Sequence, residues 1–159
     1  MTPAIRAAER ARVPHRVLSY EHDPSAPAYG PEAAAALGLD PRQVFKTLVV
    51  AVEGAARGAL AVAVVPVACQ LDLKAMADAL GAKRVALADP ALAERTTGYV
   101  VGGISPLGQR KALRTVVDES ALAWPEVFVS AGRRGLEIAL APADLVRLAD
   151  ARVAPVSRE

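Results

Sequence analysis

The sequence predicts an α/β (α+β) protein with a mixed, largely antiparallel sheet or partly closed barrel, surrounded by helices. Two apolar, β-branched runs, residues 44–52 and 59–67, flank a turn with two glycines, which predicts a β-hairpin in the middle of the sheet. A second hairpin is predicted where residues 127–131 and 136–140 flank a glycine-bounded turn. Helical and strand patterns mix without strict βαβ alternation, so the predicted sheet is mixed rather than parallel.

Helix-start and helix-stop residues place the remaining elements. Thr2, Asp72 and Asp89 are predicted N-caps, and Gly38 and Gly81 are predicted to end two helices. The predicted helices are residues 3–12, 31–37, 73–80, 90–95 and 142–149, with one further turn at 119–123. The other predicted strands are residues 15–20, 83–87, 115–118 and 152–156, and a strand at 98–101 that runs into a glycine-rich loop. Loops are predicted at 21–28 and 53–58.

Length and composition indicate one globular domain over residues 1–159. No apolar run is long enough for a membrane helix, and the N-terminus lacks the apolar core of a secretion signal. The single cysteine, Cys69, cannot form an internal disulfide. This pattern is typical of a cytoplasmic protein.

The net charge of +2, from 19 basic and 17 acidic residues, is too balanced to indicate a nucleic-acid-binding protein by itself. Local clustering would decide, and three pairs are candidates: Lys83-Arg84, Arg110-Lys111 and Arg133-Arg134. Each pair taken alone is more typical of solvated surface.

The sequence does not contain the residue patterns that several common kinds of metal-binding, catalytic and nucleotide-binding site require. His15, His22 and Cys69 do not have the spacing of zinc ligands, and neither histidine lies in a hydrolase motif. Cys69 in an apolar segment is more typical of packing than of a nucleophile. The loop at residues 102–106 is neither a P-loop nor a dinucleotide fingerprint. Its glycines still allow backbone N–H groups to approach an anion or a developing oxyanion.

Lys46 is the one cation within the apolar run 44–52. Alternate residues of a strand share a face, so Lys46 is predicted to point the same way as Val44, Leu48 and Val50. A cation there is costly unless it is paired or lines a cavity. From position alone, a frayed strand end at residues 44–46, with the ammonium reaching water, is the better explanation.

The motifs together resemble those of the YbaK/EbsC family, and most closely its cysteinyl-tRNA(Pro) deacylases. The segments that carry the resemblance are residues 20–24, 44–48, 66–68, 70–74, 97–99, 101–109, 129–130 and 134–136, in the family's order and spacing. The run Gly-Gly-Ile-Ser-Pro-Leu-Gly-Gln at 102–109 makes the likeness specific. It extends over nearly the whole chain and implies the fold of the editing domain of bacterial prolyl-tRNA synthetases.

The resemblance also implies the site residues. The family's essential lysine corresponds to Lys46, and its glycine loop supplies catalytic backbone groups. The expected catalytic residues are Lys46, Gly102, Gly103, Ile104 and Ser105, and the expected substrate-binding residues are Tyr20, Thr47, Pro106, Ser130 and Glu137. Glu137 departs from the family, which usually has Asp there, and the longer side chain is expected to shift the pocket geometry.

The resemblance implies removal of cysteine from tRNA(Pro), or from tRNA(Cys), with no cofactor and no metal. In this branch the thiol of the substrate is thought to attack its own ester and release a thiolactone, which suits a site without an obvious nucleophile. The alternatives are hydrolysis by water, editing of another amino acid such as alanine, and a binding module that performs no chemistry. The expected partners are the acceptor end of tRNA and prolyl-tRNA synthetase, with no membrane involved.

Overall fold

A computed structural model describes residues 1–25, 29–54 and 59–159. The helices are α1 (Pro3–Arg10), α2 (Tyr29–Leu37), α3 (Leu73–Leu80), α4 (Pro90–Thr97) and α5 (Pro142–Leu148), with a 3₁₀ helix at Glu119–Ala123. The strands are β1 (His15–Ser19), β2 (Phe45–Glu53), β3 (Leu60–Pro66), β4 (Gln70–Leu71), β5 (Arg84–Leu87), β6 (Arg114–Asp118), β7 (Val127–Arg133), β8 (Leu136–Leu140), β9 (Ala151–Ala154) and β10 (Ser157–Arg158). Parts of the predicted loops at 21–28 and 53–58 lie outside the described residues.

The described strands form open sheets rather than a closed barrel. A five-stranded sheet has the order β5-β2-β3-β6-β9, in which β3, β6 and β9 are parallel and the other neighbours antiparallel. A three-stranded antiparallel sheet has the order β1-β8-β7, and β4 pairs with β10. Both predicted hairpins, β2–β3 and β7–β8, are confirmed, as is the mixed sheet with surrounding helices.

Strand β2 is an interior strand of the large sheet, between β5 and β3, and its apolar residues pack on both faces, as predicted. Phe45 and Val49 pack into one hydrophobic cluster, and Val50 and Val52 into another that includes residues of α3. Val44 and Val50 pack in different hydrophobic clusters. Val44 precedes the strand, forms an isolated parallel bridge to Phe128, and packs in a third, smaller cluster.

The caps that the sequence predicts are formed. The side chains of Thr2, Asp72 and Asp89 each accept a hydrogen bond from the backbone N–H three residues later. Gly81 ends α3 in the left-handed conformation, at φ +66°. Local capping chemistry therefore fixed these helix boundaries correctly.

The predicted strand at residues 98–101 is wrong. Helix α4 extends to Thr97 and is ended by Gly98 at φ +83°, a conformation that an extended strand cannot contain. The following residues form turns, and the hydroxyl of Tyr99 donates a hydrogen bond to the carbonyl oxygen of Leu107 at 2.6 Å. Residues 98–108 thus form one folded loop, which we call the glycine loop.

The glycine loop packs against two other parts of the chain. A Cβ atom on Gly108 would lie 2.4 Å from the carbonyl oxygen of Pro3, and one on Gly103 would lie 2.6 Å from the Cα of Arg133. The loop is therefore held between the start of α1 and the turn joining β7 to β8. Among the described residues, no helix has the length and apolar character that crossing a bilayer requires.

Candidate active site

A cavity of about 460 Å³ lies over the first half of β2. Its walls come from β2, α2, the start of α4, the glycine loop and strands β7 and β8. The predicted site residues that line it are Tyr20, Lys46, Thr47, Gly102, Ile104, Ser130 and Glu137. Gly103, Ser105 and Pro106 are buried within the loop and do not line the cavity.

Lys46 is half-buried in this cavity, on the same strand face as Leu48 and Val50. Its ammonium forms no ion pair or hydrogen bond with any described residue. Burial lowers the pKa of Lys46, and the neighbouring Cys69 group acts in the opposite direction. The strand therefore presents a partly desolvated, unpaired cation to the cavity, and the frayed-end explanation does not apply because β2 already begins at Phe45.

Glu137 is buried on β8, where it pairs in register with Ser130 of β7 and Leu18 of β1. Burial raises the pKa of its carboxyl group to about 8. No ion pair joins it to Lys46, although both residues line the same cavity. The described part of the cavity thus contains a cation and a carboxyl group that do not neutralise each other.

Thr47 and Tyr20 add two hydroxyl groups to the walls. The Oγ1 atom of Thr47 is buried and has no hydrogen-bond partner among the described residues. Burial raises the pKa of the Tyr20 phenol, which keeps it protonated, and its backbone N–H donates to the carbonyl oxygen of Gly135 at 2.9 Å. A buried hydroxyl without a partner costs free energy, so Thr47 is poised to bond a ligand.

The glycine loop offers some of its backbone N–H groups and uses others. The N–H of Gly103 donates to the carbonyl oxygen of Val100 at 2.8 Å, which closes a turn within the loop. The N–H groups of Gly102 and Ile104 donate to no acceptor in the described part of the chain. Because both residues line the cavity, their amides are the loop's candidates for binding an anion there.

Ser130 positions the glycine loop. Its hydroxyl donates to the carbonyl oxygen of Gly103 at 3.0 Å and accepts from the N–H of Gly132 at 3.1 Å. The Ser105 hydroxyl, in turn, accepts from the N–H of Leu107 at 3.2 Å inside the loop. Both serines were predicted as site residues, and in this structure their hydroxyl groups bond the backbone that shapes the site.

Sequence reasoning missed a carboxylate that also holds the loop. The Oε2 atom of Glu94, on the last turns of α4, accepts a hydrogen bond from the N–H of Val101 at 2.8 Å. This fixes the residue just before Gly102. The sequence signal that could have indicated Glu94 is a glutamate one helical turn before the glycine that ends a helix. Because surface glutamates at such positions are common, this signal is not specific.

Sequence reasoning also missed a charged cluster next to the cavity. Glu32 of α2 lies 3.0 Å from Nδ1 of His22 and 3.5 Å from Nε of Arg134. It also accepts a hydrogen bond from the N–H of Asp23 at 3.0 Å. These contacts join α2, which forms a wall of the cavity, to the β7–β8 turn. They link distant segments, so no local pattern indicated them.

No group of three or more His, Cys, Asp or Glu side chains able to hold a metal ion occurs in the described ranges. The polar residues that line the cavity are a lysine, a glutamate, three hydroxyl-bearing residues and residues of the glycine loop. Together with the mixed α/β fold, they define a ligand-binding domain suited to a substrate that carries a cation and a polarised carbonyl group.

Comparison with known proteins identifies the family of this domain. Residues 24–148 match the model of the aminoacyl-tRNA editing domain. The chain is 38% identical to EbsC of Enterococcus faecalis, over 98% of this chain and 93% of that protein. The name of EbsC assigns it to the Cys-tRNA(Pro)/Cys-tRNA(Cys) deacylases. The chain therefore belongs to the aminoacyl-tRNA editing domain family, and the resemblance to the YbaK/EbsC proteins is confirmed.

Two further relatives define the breadth of the family. The chain is 30% identical to the multifunctional Ser/Thr-tRNA deacylase ProXp-y of Escherichia coli K12, over 84% of this chain and 78% of that protein. A solved structure described as a trans-editing enzyme for prolyl tRNA synthetase superposes with a TM-score of 0.80 at 26% identity, covering 100% of this chain and 99% of that one. The fold expected from the resemblance is thus confirmed, and the named relatives are aminoacyl-tRNA deacylases.

Proposed function

We propose that this protein is a trans-editing deacylase that removes cysteine from mischarged cysteinyl-tRNA(Pro), and also acts on cysteinyl-tRNA(Cys). The observation that carries the proposal is the unpaired state of Lys46 and Glu137 in one cavity. An aminoacyl ester has an α-ammonium that complements the carboxylate and a carbonyl oxygen that complements the lysine. Its relationship to EbsC supports the choice of amino acid.

Glu137 receives the α-amine in this proposal. Without substrate, burial raises the pKa of Glu137 to about 8. An ammonium at hydrogen-bond distance favours the ionised carboxylate, so binding lowers that pKa again and forms a charge-assisted pair. Tyr20 and Thr47 complete the walls that orient the amino acid, and Thr47 gains a partner for its buried Oγ1. Pro106 contributes from within the loop, by fixing the backbone that follows Ser105.

Lys46 and the loop amides act on the carbonyl oxygen. Lys46 lies on a rigid central strand, and low local polarity strengthens its attraction to developing negative charge. The N–H groups of Gly102 and Ile104 complete the oxyanion site. Gly103 and Ser105 contribute by fixing the loop conformation. Removing one such donor typically reduces the rate by roughly 10²–10³-fold.

The cysteine thiol of the substrate is the nucleophile. Its sulfur forms a bond to the ester carbonyl carbon, the tetrahedral intermediate collapses, and the bond from that carbon to the ribose oxygen breaks. The thiol proton ends on the ribose hydroxyl, and a cyclic thiolactone leaves. Holding the thiol and the ester together is itself a source of rate, which explains a cavity without a protein nucleophile.

The decisive experiment incubates catalytic amounts of protein with cysteinyl-tRNA(Pro) and measures free tRNA and the released sulfur compound. We expect multiple turnovers with a thiolactone as first product, and no turnover by a folded Lys46→Ala variant. Direct release of free cysteine would favour attack by water. Tight binding without release would identify a binding module, and normal turnover by Lys46→Ala would refute the role of the lysine.

Because one relative is named a Ser/Thr-tRNA deacylase, the amino-acid specificity of this protein needs its own test. A panel of tRNAs charged with cysteine, serine, threonine and alanine separates the alternatives, because only cysteine carries the thiol that the proposed route needs. We also propose that the reaction takes place in the cytoplasm, and that prolyl-tRNA synthetase, as a docking partner, supplies selectivity for tRNA(Pro). Co-sedimentation with that synthetase tests the docking.

A further inference from the structure

The glycine loop is bordered by four exposed basic side chains, Arg95, Arg110, Lys111 and Arg133, which we call the basic patch. Arg95 lies on the last turn of α4, Arg110 and Lys111 directly follow the loop, and Arg133 lies at the β7–β8 turn. They are separated in sequence but meet around the loop that lines the cavity.

Specific contacts bring these residues to the loop. The side chain of Arg110 covers Gly98, where an added Cβ would lie 3.3 Å from the Cβ of Arg110, and its Nη1 is 3.5 Å from the carbonyl oxygen of Arg95. At the other end, the backbone of Arg133 lies against Gly103. The fold therefore brings two of the three basic pairs that the sequence singled out to the same loop.

The third basic pair is different. Lys83 and Arg84 lie at the start of β5, where Lys83 is next to Gly54 and Arg84 forms an ion pair with Glu53. This pair lies on the edge strand of the large sheet next to β2, and its surroundings follow the common pattern of a solvated surface. It supplies a natural control.

Few acidic residues lie near the basic patch in sequence to neutralise its positive charge. Residues 95–117 contain no Asp or Glu. None of the four patch side chains forms an ion pair among the described residues, whereas Arg16, Arg42 and Arg147 elsewhere on the surface each pair with a neighbouring carboxylate. Glu94, at the edge of this region, is already bonded to the N–H of Val101.

Exposed apolar side chains lie between the basic ones. Val100 is 72% exposed and Val101 is 40% exposed, and Val101 also lines the cavity. An unpaired cationic rim around apolar groups at the edge of a substrate cavity fits a ribose-phosphate chain better than an acidic peptide. Such a chain carries one negative charge per residue, with sugar and base surfaces between the charges.

We propose that the basic patch binds the phosphodiester backbone of the acceptor end of the RNA whose aminoacyl ester occupies the cavity. This inference rests on the proposed function and adds the surface that recognises the RNA. The net charge of +2 conceals this surface, because a whole-chain sum does not show that four cations with few carboxylates nearby in sequence lie around one loop.

The test compares two triple variants that each lose three positive charges. The patch variant carries Arg95→Gln, Lys111→Gln and Arg133→Gln, and leaves Arg110 because its stem covers Gly98. The control variant carries Lys74→Gln, Lys83→Gln and Arg84→Gln on α3 and at the start of β5. Circular dichroism checks the fold of both. The affinity for uncharged tRNA is measured by fluorescence anisotropy between 50 and 200 mM salt.

We expect the patch variant to bind tRNA more weakly and with a smaller salt dependence. The logarithm of the affinity falls with the logarithm of the salt concentration by about 0.9 for each phosphate contact. With three more contacts, the wild type should lose roughly 40-fold more affinity than the patch variant across this salt range. The control variant should follow the wild type. Equal behaviour of the two variants would overturn the inference and assign the patch to an acidic protein partner or to plain surface.

A second measurement separates this inference from the proposed function. The cysteinyl ester of adenosine has the reactive ester but no phosphodiester backbone. We expect the ratio of kcat/KM for cysteinyl-tRNA to kcat/KM for this ester to fall at least about tenfold in the patch variant relative to the control variant. If the wild type cleaves neither substrate, the proposed function fails, while the anisotropy data still decide whether the patch binds RNA.

Discussion

The hydroxyl of Ser130 holds the glycine loop by donating a hydrogen bond to the carbonyl oxygen of Gly103 at 3.0 Å. The same hydroxyl accepts from the N–H of Gly132 at 3.1 Å, within the irregular segment between Ser130 and Arg133 that shifts the β7–β8 register. A single side chain thus links β7, which pairs with the strand that carries Glu137, to the glycine loop that lines the cavity.

Ser130→Ala is therefore expected to weaken the attachment of the glycine loop while leaving the other cavity walls in place. Two backbone groups lose their partner, which should lower the free energy of unfolding by about 1–3 kcal/mol. Displacement of the amides of Gly102 and Ile104 should lower kcat up to roughly 10²-fold, since small displacements of catalytic groups have effects of that size. Urea unfolding and single-turnover kinetics measure the two effects.

Ser130→Thr serves as the matched control, because it keeps the hydroxyl on a strand where β-branched residues are favoured. We expect it to recover most of the stability and most of kcat. An alanine variant that is as active as the threonine variant would show that the bond to Gly103 does not position the loop.

Gly103→Ala tests the close approach of the loop to the β7–β8 turn. The added Cβ would lie 2.6 Å from the Cα of Arg133 and 2.8 Å from the N of Arg134, so backbone atoms must move apart. Because the turn is part of a sheet, we expect the loop to move and kcat to fall by at least about tenfold.

Gly81→Ala is the control for a glycine substitution as such. Gly81 ends α3 at φ +66° with no atom within 4 Å of an added Cβ, so alanine there meets backbone strain but no clash. It should lower the free energy of unfolding by about 1–2 kcal/mol, which lowers Tm, and leave kcat intact. Similar losses of kcat in both variants would mean that the close approach at Gly103 has no particular role.

Local sequence patterns predicted the hairpins and helix caps because their causes lie within a few residues. The β-branched runs around β2 and β3 and the N-cap of Asp72 are of this kind. The strand predicted at 98–101 failed because Gly98 and the turn after it break a pattern that apolar composition alone suggests.

The candidate site could be predicted only in part, because it is built from both sequence motifs and long-range contacts. Its residues were found through the resemblance, since Lys46 by itself was compatible with a frayed strand. The bond from Glu94 to Val101, the bond from Ser130 to Gly103 and the lack of an ion pair between Lys46 and Glu137 depend on how distant segments pack. No spacing in the chain encodes these relationships visibly.

Glu137 predicts how stability depends on pH. Its pKa is raised by burial to about 8 from an ordinary 4.5, so the folded protein holds a proton that the unfolded chain releases between these values. This contribution to stability is fully present below pH 4.5 and is lost as pH rises through about 8. The free energy of unfolding should fall by at most about 1.4 kcal/mol per pH unit in this window.

Glu137→Gln removes this ionisation while keeping the size of the side chain. The difference in unfolding free energy between the variant and the wild type should therefore grow in favour of the variant from pH 5 to pH 8, as measured by urea titrations at several pH values. Parallel profiles would show that the Glu137 carboxyl group titrates near its ordinary pKa in the folded protein.

Glu94→Ala should remove the carboxylate that accepts from the N–H of Val101 at 2.8 Å. Since Val101 precedes Gly102, we expect a loss of kcat of about 3- to 30-fold, with a smaller change in KM. Glu94→Gln retains an acceptor oxygen and should recover most of the rate. Equal effects of the two substitutions would attribute the loss to charge rather than to positioning of the loop.

Cys69→Ala distinguishes the thiol of the substrate from the thiol of the protein. Cys69 is partly buried and close enough to influence the pKa of Lys46, but it does not line the cavity that contains Lys46 and Glu137. If the substrate provides the nucleophile, the variant should release cysteine from cysteinyl-tRNA(Pro) at a rate within about threefold of the wild type, because no bond to Cys69 forms in the reaction. A folded Cys69→Ala protein that has lost its activity, or a covalent cysteinyl adduct on Cys69 in the wild type, would instead show that the protein thiol attacks the ester.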